Sequence, residues 1–151
     1  MAVGLVVVIV FMIVSTVIGN TAICYIIYRV RRLHSPSCIF LVNLAINDIL
    51  VALFLLPFSI ATTASNYVVV SKTGCDIIGF LQHATSAVSV LTLLSVSMDR
   101  YLAILTPLKY KGWVTRNRTV LCIFFIWFYA LLSACYPLLG WSRYYAFPGD
   151  R

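Results

Sequence analysis

Residues 77–101 read IIGFLQHATSAVSVLTLLSVSMDRY, and this stretch decides the fold. Ile77 through Met98 carries no charge over 22 residues, which is long enough to cross a bilayer as a helix. The run ends abruptly on Asp99-Arg100-Tyr101, and Pro107-Leu108-Lys109-Tyr110 follows in a basic loop. A charged pair at the rim of a membrane helix is costly and marks function by default. Such a pair can hold a helix end in one arrangement and release it in another.

The flanking sequence repeats the apolar theme. Of the whole chain, 62% is hydrophobic and only 10% charged, and mean hydropathy is +1.01. Soluble domains carry about 25% charged residues. Uncharged runs cover residues 1–28, 33–47, 49–71, 77–98 and 119–142. The second and third flank a single carboxylate, Asp48, and read as one helix with a buried acid. Four spans result, at about 3–28, 38–61, 76–104 and 119–140. Uninterrupted apolar runs lack the alternation of barrel strands, and open sheets do not cross lipid, so the spans are helices. The expected fold is an all-α, polytopic membrane helical bundle. The first span lacks a basic leader and exceeds the 7–15-residue core of a signal peptide, so it reads as a span.

The net charge of +7 reads as topology rather than nucleic-acid binding. Arg29, Arg31 and Arg32 fall in the first loop, and Arg100, Lys109, Lys111, Arg116 and Arg118 fall in the third. Only Lys72, Arg143 and Arg151 fall on the other side. The positive-inside rule puts the first and third loops in the cytoplasm and the N-terminus outside. A basic surface for anionic lipid is an additional reading. The sequon Asn117-Arg118-Thr119 then lies on the cytoplasmic side and reads as chance.

Polar residues within the spans are sparse and placed. Asp48 lies about 15 Å along its helix and requires a partner, a cation or a proton. Asn20, after Gly19, is its expected neighbour across a close helix contact. In the third span Gln82, Ser89 and Arg100 recur at whole turns and share one face, with Thr85, Ser86 and Val96 alongside. Gln82 and Arg100 are about 27 Å apart along the axis. Pro57 and Pro137 are expected to kink their helices. Trp127 sits mid-span and is expected to pack on another helix, while Trp141, Tyr144 and Tyr145 fit an interfacial belt. Of five cysteines, Cys24, Cys38, Cys122 and Cys135 read as small apolar residues. Cys75 lies at the outer end of its span, where a disulfide is permitted.

The order Gly19-Asn20, Leu44-Ala45 before Asp48, Cys75, Asp99-Arg100-Tyr101, Pro107-Leu108, Trp127 and Pro137 resembles the first four helices of a rhodopsin-like (class A) G-protein-coupled receptor. The likeness covers essentially the whole chain and four of seven helices. It implies one partial receptor domain over residues 1–151, multi-pass in the plasma membrane, with a heterotrimeric G protein as cytoplasmic partner. It also implies roles. Asp99 would hold Arg100 at rest, and Arg100 would then contact the G protein. Tyr101 and Pro107 belong to the same switch, Leu108 would insert into the G protein, and Tyr110 would steady the loop. Asp48 with Ser89 would form part of a sodium site, although sodium needs more oxygens than these two supply. Cys75 would form a disulfide to the loop after the fourth span. Gln82, His83 and Ser86 would line the pocket of a small-molecule ligand. Amine receptors place Asp where Gln82 stands, which argues against an amine. The chain stops at Arg151, before the remaining helices and the disulfide cysteine, and is expected to be a fragment or a truncated gene model.

Two stretches resemble opsins: Thr73-Gly74-Cys75 with Gly79-Phe80, and residues 137–144, PLLGWSRY. Retinal would be the cofactor of an opsin-like protein. Its Schiff-base lysine would lie in the absent seventh helix, Ile78 replaces the Glu or Tyr common in opsins, and no loop glutamate is evident after Ala146. A Gly-Trp pair at this position also occurs in receptors for small diffusible ligands. From another class, a complete four-helix transporter subunit would also carry buried acids and broken helices, but no internal repeat is evident, and a scaffold would not need the ordered motifs. An enzyme would need a nucleophile–base or metal-ligand arrangement, and His34 and His83 lie at opposite ends of the bundle.

Overall fold

A computed structural model of the chain describes residues 2–31, 35–65 and 72–136. Its elements in order are α1 (Ala2–Arg29), α2 (Pro36–Leu50), a π turn (Val51–Leu55), α3 (Leu56–Ser65), α4 (Lys72–Leu105), α5 (Pro107–Trp113) and α6 (Arg116–Cys135). No strand occurs among the described residues. Four of these segments are long and apolar enough to cross a membrane: Val3–Arg29, Pro36–Phe58, Thr73–Leu105 and Arg116–Cys135. The fold is therefore the expected all-α membrane bundle. Residues 137–140 of the expected fourth span, with Pro137, Trp141, Tyr144, Tyr145 and the second opsin-like stretch, lie outside the described residues.

Local chemistry sets the boundaries. Ser35 and Thr106 each precede a proline that is disfavoured after a helical residue, so each adopts non-helical angles and the proline opens the next helix. This is why α4 stops at Leu105 and the short α5 begins at Pro107. At 34 residues α4 spans about 50 Å, well beyond the hydrocarbon core, so its final turns reach past the lipid. In the second span Pro57 has no N–H to donate, and the chain responds upstream: the Leu56 N–H bonds the Val51 carbonyl five residues back. A π turn thus lies directly before Pro57, where the sequence leads one to expect a kink.

The second span is central. α2 packs on α1, α4 and α6, while α4 and α6 pack on each other. The core consists of Phe40, Val88, Ile126 and Ala130, ringed by Leu91, Val96, Ile123 and Trp127. Ala45, Ala52, Ala84 and Ala134 are also buried. Small residues let membrane helices approach, where lipid offers no hydrophobic drive to pair them. Gly19 does not serve this end, since a Cβ there would meet open space. Asn20 turns back on its own helix and donates to the Thr16 carbonyl at 2.9 Å, and no hydrogen bond joins it to its expected neighbour Asp48 among the described residues.

Candidate functional site: a carboxylate held by two hydroxyls

The last turns of α4 carry Asp99 inward and Arg100 outward. Adjacent helical residues diverge by about 100° around the axis and do not face each other. Asp99 is only 5% exposed, whereas Arg100 is exposed. The Asp99 carboxylate is claimed by two hydroxyls. Ser37, in the first turn of α2, donates a short hydrogen bond to Oδ2. Tyr110, on α5, donates to Oδ1 at 2.8 Å. The two hydroxyl oxygens are themselves 3.0 Å apart. Each hydroxyl has one proton, so donation to Asp99 uses both. The expected Asp99–Arg100 restraint is therefore corrected: the acid is held by Ser37 and Tyr110, and no ion pair joins it to Arg100 among the described residues.

Burial pushes the Tyr110 phenol above its ordinary value, and its bond and charge contact with Asp99 push the same way, against lowering by Ser37 and Arg100. Tyr110 thus remains a protonated donor. The arrangement ties three elements, α2, α4 and α5, through one carboxylate. It also fixes the loop helix whose Leu108 projects outward at 96% exposure. Pro107 opens α5, and Tyr101 is exposed beside Arg100. A second tie, from the Arg118 guanidinium to the Trp113 carbonyl at 3.1 Å, joins the end of α5 to α6.

Deeper in the bundle, two asparagines one turn apart on α2 form a polar spine that the sequence reading missed. Asn43 donates to Thr92 Oγ1 at 3.0 Å and accepts from Trp127 Nε1 at 2.9 Å, linking α2, α4 and α6. Trp127 thus packs on its neighbours through a hydrogen bond as well as its ring. Asn47, fully buried, donates to Ser89 Oγ at 2.8 Å and to the Thr85 carbonyl at 3.1 Å. Its Oδ1 is buried without a donor among the described residues. The available signal was the four-residue spacing of Asn43 and Asn47 on one helix face.

Other expected site residues are less gathered. Asp48 is half-buried, and no hydrogen bond joins it to Ser89 among the described residues, where Ser89 is instead engaged by Asn47. Gln82, His83 and Ser86 are exposed along the N-terminal half of α4. Cys75 is a free thiol among the described residues.

Comparison with known proteins places this geometry. A family model described as 7 transmembrane receptor (rhodopsin family) matches residues 19–147. Melanopsin-B of Xenopus laevis is 33% identical over 128 residues, 85% of this chain and 24% of that protein. Melanopsin of Mus musculus is 34% identical over 127 residues, 84% of this chain and 24% of that protein. G-protein coupled receptor 161 of Danio rerio is 33% identical over 127 residues, again 84% of this chain and 24% of that protein. The chain therefore spans about a quarter of the length of these relatives. With four apolar helices, an inward-held acid and an outward arginine at the end of the third span, the chain belongs to the rhodopsin family of seven-transmembrane receptors and is a multi-pass membrane protein.

Proposed function

We propose that this chain forms the first four helices of a plasma-membrane receptor that passes an extracellular signal to a heterotrimeric G protein. The observation that carries the reading is the split between Asp99 and Arg100. The acid is withdrawn and satisfied by Ser37 and Tyr110, which leaves Arg100 free of it and exposed, while Leu108 is exposed on α5. An exposed cation at the end of α4 and an exposed apolar side chain on α5 suit a partner surface with an acceptor and an apolar hollow. Gln82, His83 and Ser86 support a ligand pocket toward the outside: polar side chains on an exposed face of a membrane helix need cover by protein or water, and a bundle interior supplies both.

The test is Arg100→Ala in the full-length receptor. G-protein activation should disappear while surface expression persists. Normal second-messenger output from that variant overturns the role given to Arg100.

A second reading, an opsin-like photoreceptor, is favoured by the likeness to melanopsins at 33–34% identity. The receptor 161 likeness is of similar identity, 33%, so the general receptor reading, which covers both, is preferred. Reconstitution of the full-length protein with retinal separates the two. A visible absorption band that light shifts supports the photoreceptor, and a band no different from free retinal removes it.

A further inference from the structure

We infer that Asn47 competes with a sodium ion for Ser89, so that the polar residues around Asp48 bind sodium weakly. A hard cation takes several oxygen ligands at once. Beside Asp48, α4 offers α2 two hydroxyls, Thr85 and Ser89, and neither stands open to an ion. The Thr85 hydroxyl is turned along its own helix, donating to the Leu81 carbonyl at 2.8 Å and the Gln82 carbonyl at 3.2 Å. Ser89 Oγ accepts from Asn47 Nδ2 at 2.8 Å. Of the two oxygens that the family resemblance assigns to sodium, one is therefore already engaged by a neighbour of the other. The donor set does not fit the ion unless Asn47 lets go.

The amide is fixed in the orientation that competes. Asn47 is fully buried where α2 packs on α4. Both of its N–H protons are used, one on Ser89 and one on the Thr85 carbonyl at 3.1 Å. Turning the amide over would set Oδ1 against the Thr85 carbonyl oxygen, acceptor against acceptor, so that carbonyl selects the orientation. Oδ1 is then buried without a donor among the described residues. An orphaned oxygen is a natural cation ligand, yet it cannot help Ser89 hold one. Oδ1 and Nδ2 branch from a single carbon. An ion touching both Oδ1 and Ser89 would lie against the Nδ2 hydrogens, which carry positive partial charge. Sodium at Ser89 therefore requires the loss of a buried hydrogen bond, about tenfold in affinity. The inference concerns cation binding alone and stands whether or not the receptor couples to a G protein.

The test uses the purified full-length receptor without ligand, and the probe is the sodium ion itself. Thermal unfolding is followed in sodium chloride and in potassium chloride at equal ionic strength, and sodium affinity is titrated by sodium NMR. At physiological sodium the wild-type midpoint should match that in potassium. Asn47→Ala removes the competing donor and the orphaned oxygen together. It should unfold at a higher temperature in sodium than in potassium, with sodium affinity about tenfold above wild type. Asn47→Leu keeps the shape of the side chain without its donors, and should gain in the same direction if the smaller alanine fails to fold. Adding Asp48→Asn or Ser89→Ala to Asn47→Ala should abolish the gain. Equal sodium affinity in wild type and the Asn47 variants, whether high or nil, overturns the competition. So does a gain that survives the loss of Ser89.

Discussion

Tyr110 donates a hydrogen bond to Asp99 across the turn that joins α4 to α5, at 2.8 Å, and Ser37 closes the same carboxylate from α2. Hydrogen bonds to a charged group contribute about 1.5–3 kcal/mol each. The pair therefore biases the position of the loop helix by an amount comparable with a conformational switch. In the full-length receptor Tyr110→Phe and Ser37→Ala should each raise basal nucleotide exchange, about tenfold or more in the switch equilibrium. Basal exchange equal to wild type in both variants would show that the carboxylate does not restrain the resting state.

The same bond has a pH signature. A phenol whose folded value is raised binds its proton more tightly in the folded state than in the unfolded chain. Its stabilising contribution is complete below the ordinary value of 10.0 and is lost as pH climbs through the higher folded value. Loop position should hence be insensitive to pH across the physiological range and release only under alkaline conditions. Tyrosinate absorbance compared between wild type and Tyr110→Phe checks this. A tyrosine titrating below the ordinary value, and missing from the variant, would contradict it.

Asn43 joins three helices with one side chain, so its removal leaves Thr92 and Trp127 with broken bonds. Hydrogen bonds between membrane helices average about 0.6 kcal/mol and reach about 1.7 kcal/mol. Asn43→Ala should lower thermal stability in detergent by about 1–3 kcal/mol. Trp127→Phe, which keeps the ring but not the donor, should cost less. The reverse order would place the cost in ring packing.

Asp48 is half-buried, and a second-span acid requires a counter-charge or a proton. Asp48→Asn in the full-length receptor should weaken any sodium dependence of agonist binding. Sodium dependence that survives the substitution assigns Asp48 to helix packing.

Much of this was legible in the sequence. The four spans follow from charge-free runs, because lipid tolerates few charges over about 20 residues. Asp99 and Arg100 stood out for the same reason. Their pairing did not survive, because neighbours in sequence diverge around a helix and Asp99 faces the bundle alone. Ser37 was invisible as its partner, since the two are 62 residues apart and meet only through the packing of α2 on α4. The asparagine spine was readable only as spacing, because an amide in an apolar run does not announce which helix it will face. Asn20 misled for the converse reason: an amide can satisfy itself within its own turn.

The π turn at Val51–Leu55 reaches beyond its own five residues. One inserted residue rotates everything that follows by about 100° relative to an unbroken helix. The helical phase from Leu56 onward consequently differs from the one that Asn43 and Asn47 set. A designer working on this scaffold should count the segment from Pro57 onward as a separate ruler with its own zero.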